Sequence, residues 1–270
     1  WLLWRLGITQ RMRGAAFWRW AASYFPVTMR ATAPLPAAEG PYIFVCHPHG
    51  IIGIGPMTSF GTEATGFSKL FPGNVVHLLG HSAIFRIPLF REWCLAHGHG
   101  SVDKQTCVSL LRSGHCIALA PGGAKESLEC IPGTMRFFLA RRRGFARLAL
   151  ETGATLVPVI GFGENEVYST VQFPPGSRCR RIQDILQARL GFALPVFSGR
   201  RWLPLLPRRV PVCTLVGAPV RPAAHDAQAE TDSLEERVAA LHAQYCEALQ
   251  DLFMAHRAEY GAGSMELSIV

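Results

Sequence analysis

Two histidines, His47 and His49, stand either side of Pro48 at the end of the apolar run Tyr42 to Cys46, with Gly50 next. A second apolar run ends in Pro121-Gly122-Gly123 and is followed by Glu126, and a third ends in Gly161-Phe162-Gly163-Glu164-Asn165-Glu166. A histidine can take a proton from a hydroxyl near neutral pH, and a carboxylate can fix its tautomer and stabilise the imidazolium. Glycines let backbone N–H groups approach a developing oxyanion. Together these parts suffice for acyl transfer to an alcohol. Taken alone, a His and a Glu are as well explained by a hydrogen-bonded core histidine.

Positioning such groups takes strands that end together. Pro48 ends the first strand, which leaves both imidazoles near its carboxyl end, the edge where open α/β sheets bind ligands. Apolar runs at 75–79, 116–120, 156–160 and 212–216 read as further buried strands. Helices are expected at 88–96, at 103–112 with Asp103 as N-cap, and at 144–151 stopped by Gly153. The alternation predicts an α/β fold with a mostly parallel central sheet and helices on both faces. In a parallel sheet the three motif-bearing ends share one edge. Near the C-terminus, Ser233-x-x-Glu236 forms a capping box. It opens a helix whose stripe is Leu234, Val238, Leu241, Tyr245, Leu249 and Leu252.

Composition narrows the partners. The 270-residue chain is 49% hydrophobic and 17% charged, apolar enough to suggest a membrane-associated globular protein. Its formal charge of +8 is almost wholly arginine, since Lys69, Lys104 and Lys125 are the only lysines, so partners should be anionic. No nucleic-acid-binding motif accompanies that charge, which leaves lipid headgroups or a phosphate-rich cosubstrate. The eight cysteines show no CxxC pair and read as reduced core residues. Residues 1–30 place Trp1, Trp4, Phe17, Trp18 and Trp20 among Arg5, Arg11, Arg13, Arg19 and Arg30, with no acid before Glu39. That is the composition of an interfacial segment, with an Arg-rich helix packed on its own domain as the alternative. Residues 178–209 repeat it, with eight arginines among Phe192, Phe197 and Trp202. The longest uncharged run, 40–62, holds three prolines and several glycines and does not read as a spanning helix. The chain starts at Trp1 without a Met, so an N-terminal anchor is expected to be missing.

The order of motifs is more specific than any one of them. His47-Pro48-His49-Gly50, then Pro121-Gly122-Gly123 with Glu126, then Arg143-Gly144-Phe145 and Leu156-Val157-Pro158-Val159 resemble the glycerolipid acyltransferase superfamily. The nearer likeness is to its diacylglycerol acyltransferase type 2 branch. It is carried by Tyr42-Ile43-Phe44, Thr62-Glu63-Ala64-Thr65, Phe71-Pro72-Gly73, Phe85-Arg86-Ile87-Pro88 and Phe162-Gly163-Glu164-Asn165-Glu166-Val167-Tyr168, and covers nearly the whole chain from about Trp18.

The resemblance implies transfer of a fatty acyl group from acyl-CoA to the hydroxyl of diacylglycerol, at the cytosolic face of the endoplasmic reticulum membrane or at a lipid droplet. Monoacylglycerol and long-chain (wax) alcohol acceptors share the motifs. It divides the chain into an interfacial segment and linker, 1–41, and an acyltransferase domain, 42–270. Acyl-CoA is then a cosubstrate, with no cofactor and no metal. Relatives in the wider superfamily have an Asp five positions after the His, but Ile52 and Ile54 stand at those places here. Glu126 is therefore the candidate to orient the base, and His49, past the proline, is preferred to His47 for that base. Candidate substrate-binding residues are Gly50, Gly122, Gly123, Arg141, Arg143, Gly144, Glu164, Asn165 and Glu166, the arginines for CoA phosphates. Lys125 and Asp103-Lys104-Gln105 depart from the branch's pattern.

Three other classes compete. Gly80-His81-Ser82-Ala83-Ile84 nearly spells a serine-hydrolase nucleophile elbow, with Ile84 in place of the closing glycine. His97-Gly98-His99 is a second pair of alternating histidines, but no third metal ligand has sensible spacing. A non-catalytic lipid-binding module would use the same apolar and basic stretches.

Overall fold

The computed structural model describes residues 2–190, 195–221 and 233–270. Trp1 and Phe192, named above, lie outside them. Three short helices, α1 (Leu2–Arg5), α2 (Ile8–Arg13) and α3 (Ala16–Tyr24), precede β1 (Val27–Ala31) and β2 (Tyr42–His47). Then follow α4 (Ile54–Phe60), α5 (Phe67–Leu70), β3 (Val76–Gly80), α6 (Phe90–Ala96), β4 (Gly100–Ser101), α7 (Lys104–Arg112) and β5 (Cys116–Leu119). Next come α8 (Gly123–Leu128), β6 (Met135–Phe137), α9 (Gly144–Thr152), β7 (Thr155–Phe162), β8 (Ser169–Thr170), α10 (Arg178–Leu190) and β9 (Phe197–Ser198). The last elements are β10 (Val212–Val216), α11 (Leu234–His256) and β11 (Leu267–Ile269).

The central sheet has seven strands in the order β1-β10-β7-β2-β5-β3-β4. Every pair in it is parallel except β10 with β7. β2 lies in the middle, and all six of its residues are buried. The pleat sends Ile43 and Val45 into one core with residues of α7, α9 and α11, and Tyr42, Phe44 and Cys46 into the other with Phe60, Phe67 and Phe71. A strand covered on both faces must be apolar throughout, which is why it reads as a continuous hydrophobic run.

Local signals act as their chemistry requires. Asp103 accepts the Thr106 N–H at 2.9 Å at the start of α7, and Gly153 ends α9 at φ 72. The Ser233 box closes reciprocally with Glu236, and Val238, Leu241, Tyr245 and Leu249 of α11 pack into the first core. Six of the eight cysteines are buried, while Cys179 is exposed.

Two features depart from the sequence reading. The stretch before Tyr42 contributes a sheet strand, β1, in which only Met29 is buried; its alternation with exposed Thr28 and Arg30 marks a strand at the sheet's edge. The second is a separate parallel pair, β6 with β11, which joins residues more than a hundred positions apart. Among the described residues no helix is long and apolar enough to cross a membrane. Large apolar side chains nonetheless face outward from α3 (Phe17 and Trp20) and from the loop after β9 (Trp202, 85% exposed, with Leu203 and Leu205). These two segments touch: the Tyr24 hydroxyl donates to the Pro207 carbonyl at 3.1 Å, and the Arg200 guanidinium lies over the Tyr24 ring.

Candidate active site

β2, β5 and β7 run parallel, so the His47, Pro121 and Gly161 motifs do leave the sheet at one edge. They do not open into one cavity. His47 is the last residue of β2, and its ring points into the core, stacked on Phe137 at 5.0 Å. Its Nδ1 lies 3.8 Å from Glu126 Oε1, and neither ring nitrogen has a hydrogen-bond partner among the described residues. His49, beyond Pro48, is half-buried and lines an apolar cavity of about 230 Å³ with Ile52, Met57, Leu79, Trp93 and His99.

Glu126 does not orient the His49 ring, as the sequence had suggested. Its buried carboxylate accepts the backbone N–H of His49 at 2.8 Å through Oε2 and that of Phe138 at 3.0 Å through Oε1. Burial pushes this carboxyl up, but His47 and the two amides outweigh it and hold Glu126 below its usual range. Gly122 makes room for it, since a Cβ there would stand 1.8 Å from Glu126 Cδ. Gly123, at φ 51, begins α8.

The His49 ring is held by Ser127, the residue after Glu126, which the sequence reading passed over. Ser127 Oγ lies 2.9 Å from His49 Nδ1 and donates to the Gly50 carbonyl at 2.8 Å; that same carbonyl is 3.0 Å from Nδ1. A carbonyl can only accept, so this network assigns the proton to Nδ1 and the free lone pair to Nε2. The available signal was a hydroxyl one residue past the helix's only acid.

Glu164 also braces the His49 loop. It is buried: Oε1 accepts the Ile54 N–H and Oε2 the Gly55 N–H, both at 2.8 Å, at the start of α4. Burial pushes its carboxyl up to about 7, against the pull of the two amides. Gly50, at φ 63, lets the chain pass close by; a Cβ there would meet Glu164 Oε1 at 2.6 Å. Two buried carboxylates thus hold the loop between His49 and Gly55 from opposite ends. Asn165 and Glu166 lie elsewhere, lining a separate cavity of about 680 Å³ with Phe162, Cys213 and Tyr260. Asn165 donates to Thr134 and accepts from Cys130, and Glu166 accepts the Gly133 N–H at 2.6 Å.

The arginines of 141–143 stand at the mouth of a third cavity, of about 440 Å³, with Gly144, Lys104 and Arg147. Lys104 pairs with Glu151 at 2.8 Å and Arg147 pairs with Glu235, whereas Arg141, Arg142 and Arg143 carry no carboxylate partner among the described residues. Leu119, at the end of β5, lines both this basic cavity and the apolar one beside His49.

The competing motifs land differently. Ser82 opens an exposed 3-10 turn and is not among the residues at positive φ, so it does not sit on the strained turn of a nucleophile elbow. His97 and His99 are both buried, with ring centroids 5.8 Å apart. Burial pushes His99 down to about 3, which keeps this wall of the apolar cavity uncharged. Among the described residues no group of three or more His, Cys, Asp and Glu could hold a metal ion.

The fold is α/β with a mostly parallel sheet, and its edge sets His49 in an apolar cavity that shares Leu119 with a basic one. A profile of the diacylglycerol acyltransferase family matches residues 7–269. The chain is 41% identical over 257 residues to diacylglycerol O-acyltransferase 2A of Umbelopsis ramanniana, covering 92% of this chain and 71% of that protein. It is 39% identical to diacylglycerol O-acyltransferase 2 of Mus musculus (96% and 67% covered) and 38% identical to 2-acylglycerol O-acyltransferase 1 of Bos taurus (96% and 77%). The chain belongs to the diacylglycerol acyltransferase family and is an acyltransferase.

Proposed function

We propose that the protein esterifies the free hydroxyl of a diacylglycerol with a fatty acyl group from acyl-CoA, and that His49 Nε2 is the base. The observation that carries the choice of His49 is its Nδ1 contact with the Gly50 carbonyl at 3.0 Å, which leaves the Nε2 lone pair for a proton. His47, stacked in the core with its side chain fully buried, lacks access to a substrate.

In the proposed reaction Nε2 takes the hydroxyl proton as the alcohol oxygen attacks the thioester carbonyl. The tetrahedral oxyanion collapses, the carbon–sulfur bond breaks, and the CoA thiolate takes the proton from the imidazolium. Acyl-CoA is the cosubstrate. Its phosphates suit Arg141, Arg142 and Arg143, which have no carboxylate partner among the described residues and can bind phosphate through two N–H donors each. Leu119 would stand between the CoA moiety and the reacting carbonyl at His49.

The acceptor is lipid, so the protein must work at a membrane or droplet surface. Trp20, Trp202 and Leu205 beside Arg200 and Arg201 form the face suited to it: apolar groups for the acyl boundary, guanidinium groups for anionic headgroups. The cytosolic face of the endoplasmic reticulum membrane and lipid droplets are the proposed locations. Monoacylglycerol is the second acceptor to test, because one relative is a 2-acylglycerol O-acyltransferase at 38% identity.

The deciding experiment incubates membranes containing the protein with labelled acyl-CoA and either acceptor, then separates the neutral lipids. Label in triacylglycerol, lost in His49→Ala, is the expected result. Label only in diacylglycerol would move the assignment to the monoacylglycerol reaction, and no acyl-CoA-dependent product would leave a lipid-binding module.

A further inference from the structure

We infer that Ser127 is a positioning residue which, with the Gly50 carbonyl, does for the His49 base what a carboxylate does elsewhere; this rests on His49 being the base. Ser127 is 4% exposed and is fixed in α8. Its Oγ has three neighbours: the Gly50 carbonyl at 2.8 Å, His49 Nδ1 at 2.9 Å and the Gly123 carbonyl at 3.5 Å. The hydroxyl has one proton, and the Gly50 carbonyl is the nearest group that can only accept. Giving the proton there leaves Oγ lone pairs facing Nδ1.

Nδ1 then meets two acceptors, Ser127 Oγ at 2.9 Å and the Gly50 oxygen at 3.0 Å, and must carry a proton itself. In the opposite tautomer the Nδ1 lone pair would face the lone pairs of the Gly50 carbonyl. The serine proton would swing to Nδ1, and the carbonyl would lose its donor. The cage therefore favours the ring form that leaves Nε2 free, and it keeps both acceptors on Nδ1–H when the imidazolium forms.

The nearby acid is occupied otherwise. Glu126 accepts two backbone N–H groups, Oε2 that of His49 and Oε1 that of Phe138, and neither oxygen bonds the His49 ring. A pair of neutral acceptors replaces the anion that a histidine base commonly has behind it. Such a pair stabilises an imidazolium less than a carboxylate would. That suits a reaction whose leaving group is a thiolate, because a thiol of ordinary acidity, about 8.5, needs little help to depart.

The test compares Ser127→Ala, Ser127→Thr and His49→Ala in membranes containing the protein. Ser127→Ala should lower kcat on the order of 10-fold or more with KM for acyl-CoA unchanged, and Ser127→Thr, which keeps the hydroxyl, should restore most of it. Nitrogen-15 spectra of histidine-labelled protein, with the His49 signals assigned by their loss in His49→Ala, should show the Nδ1–H tautomer in the unmodified protein and a mixture in Ser127→Ala. Unchanged kcat in Ser127→Ala, or an Nε2–H tautomer in the unmodified protein, overturns the inference. Full activity of His49→Ala instead removes the base assignment, independently of how Ser127→Ala behaves.

Discussion

The Glu126 carboxylate reaches His49 through its backbone, accepting the N–H at 2.8 Å, while the ring is held by Ser127 and the Gly50 carbonyl. The acid therefore sets where the loop lies, and the hydroxyl and carbonyl set which way the imidazole faces. Separating the two tasks means that substitutions along one short segment should have different signatures.

The two histidines should part in that way. His49→Ala is expected to lose activity by about 10²–10⁴-fold with the melting temperature little changed, as for a general base on a loop. His47→Ala should instead destabilise the fold by roughly 2–4 kcal/mol, because it empties a site packed against Phe137 and Tyr245. Parallel melting curves and turnover rates distinguish them. A stable, inactive His47→Ala together with an active His49→Ala would reverse the assignment.

Glu126→Gln keeps one acceptor and places an NH₂ group against the other backbone N–H. Leaving a buried donor unmet costs about 1–3 kcal/mol, so the urea midpoint should fall and kcat with it. Unfolding and kinetics on the same preparation would show both; normal turnover would mean that the His49 loop does not depend on this carboxylate.

Two glycines offer a control for each other. A Cβ on Gly122 would stand 1.8 Å from Glu126 Cδ, whereas one on Gly144 meets nothing within 4 Å. Gly122→Ala should displace the carboxylate, with a loss of about 2 kcal/mol or more by overpacking. Gly144→Ala, at the first position of α9, should stay within about 1 kcal/mol of the unmodified protein. Thermal melts of the pair suffice.

Stability should carry the mark of Glu164. Its folded value of about 7 lies above the ordinary 4.5, so between those values the native state holds more protons and stability falls as pH rises. Glu126 acts oppositely: held low, it contributes stability that is present above the unfolded carboxyl range and lost as pH falls through its own titration. Glu164→Gln cannot ionise. Between about pH 5 and about pH 8 the unmodified protein should lose urea resistance relative to this variant, and parallel curves would contradict the assignment.

For the basic cavity, Arg143→Glu should raise KM for acyl-CoA roughly 10-fold, more at low salt than at high, and leave KM for an acyl-pantetheine lacking the nucleotide unchanged. Equal effects on both thioesters would place the CoA phosphates elsewhere.

Sequence alone determined the elements whose signals are local. The continuous apolar run of β2, the Asp103 and Ser233 caps, the Gly153 stop and the α11 stripe from Val238 to Leu252 each depend on residues a turn or a pleat apart and formed as expected, whereas Leu234, counted in that stripe, is exposed. The shared edge of the His47, Pro121 and Gly161 motifs followed from parallel pairing. Tertiary structure decided what pairing of distant segments controls. It placed β1 at the sheet's edge and joined β6 to β11. It also gave both Glu164 oxygens to amides more than a hundred residues away and separated Asn165 and Glu166 from His49. A carboxylate in a motif declares its charge in the sequence, but which donor it meets depends on distances of a few tenths of an ångström. Those distances exist only once the sheet edge, α4 and α8 have packed together, and for that reason the acid at residue 126 was legible while the group it serves was not.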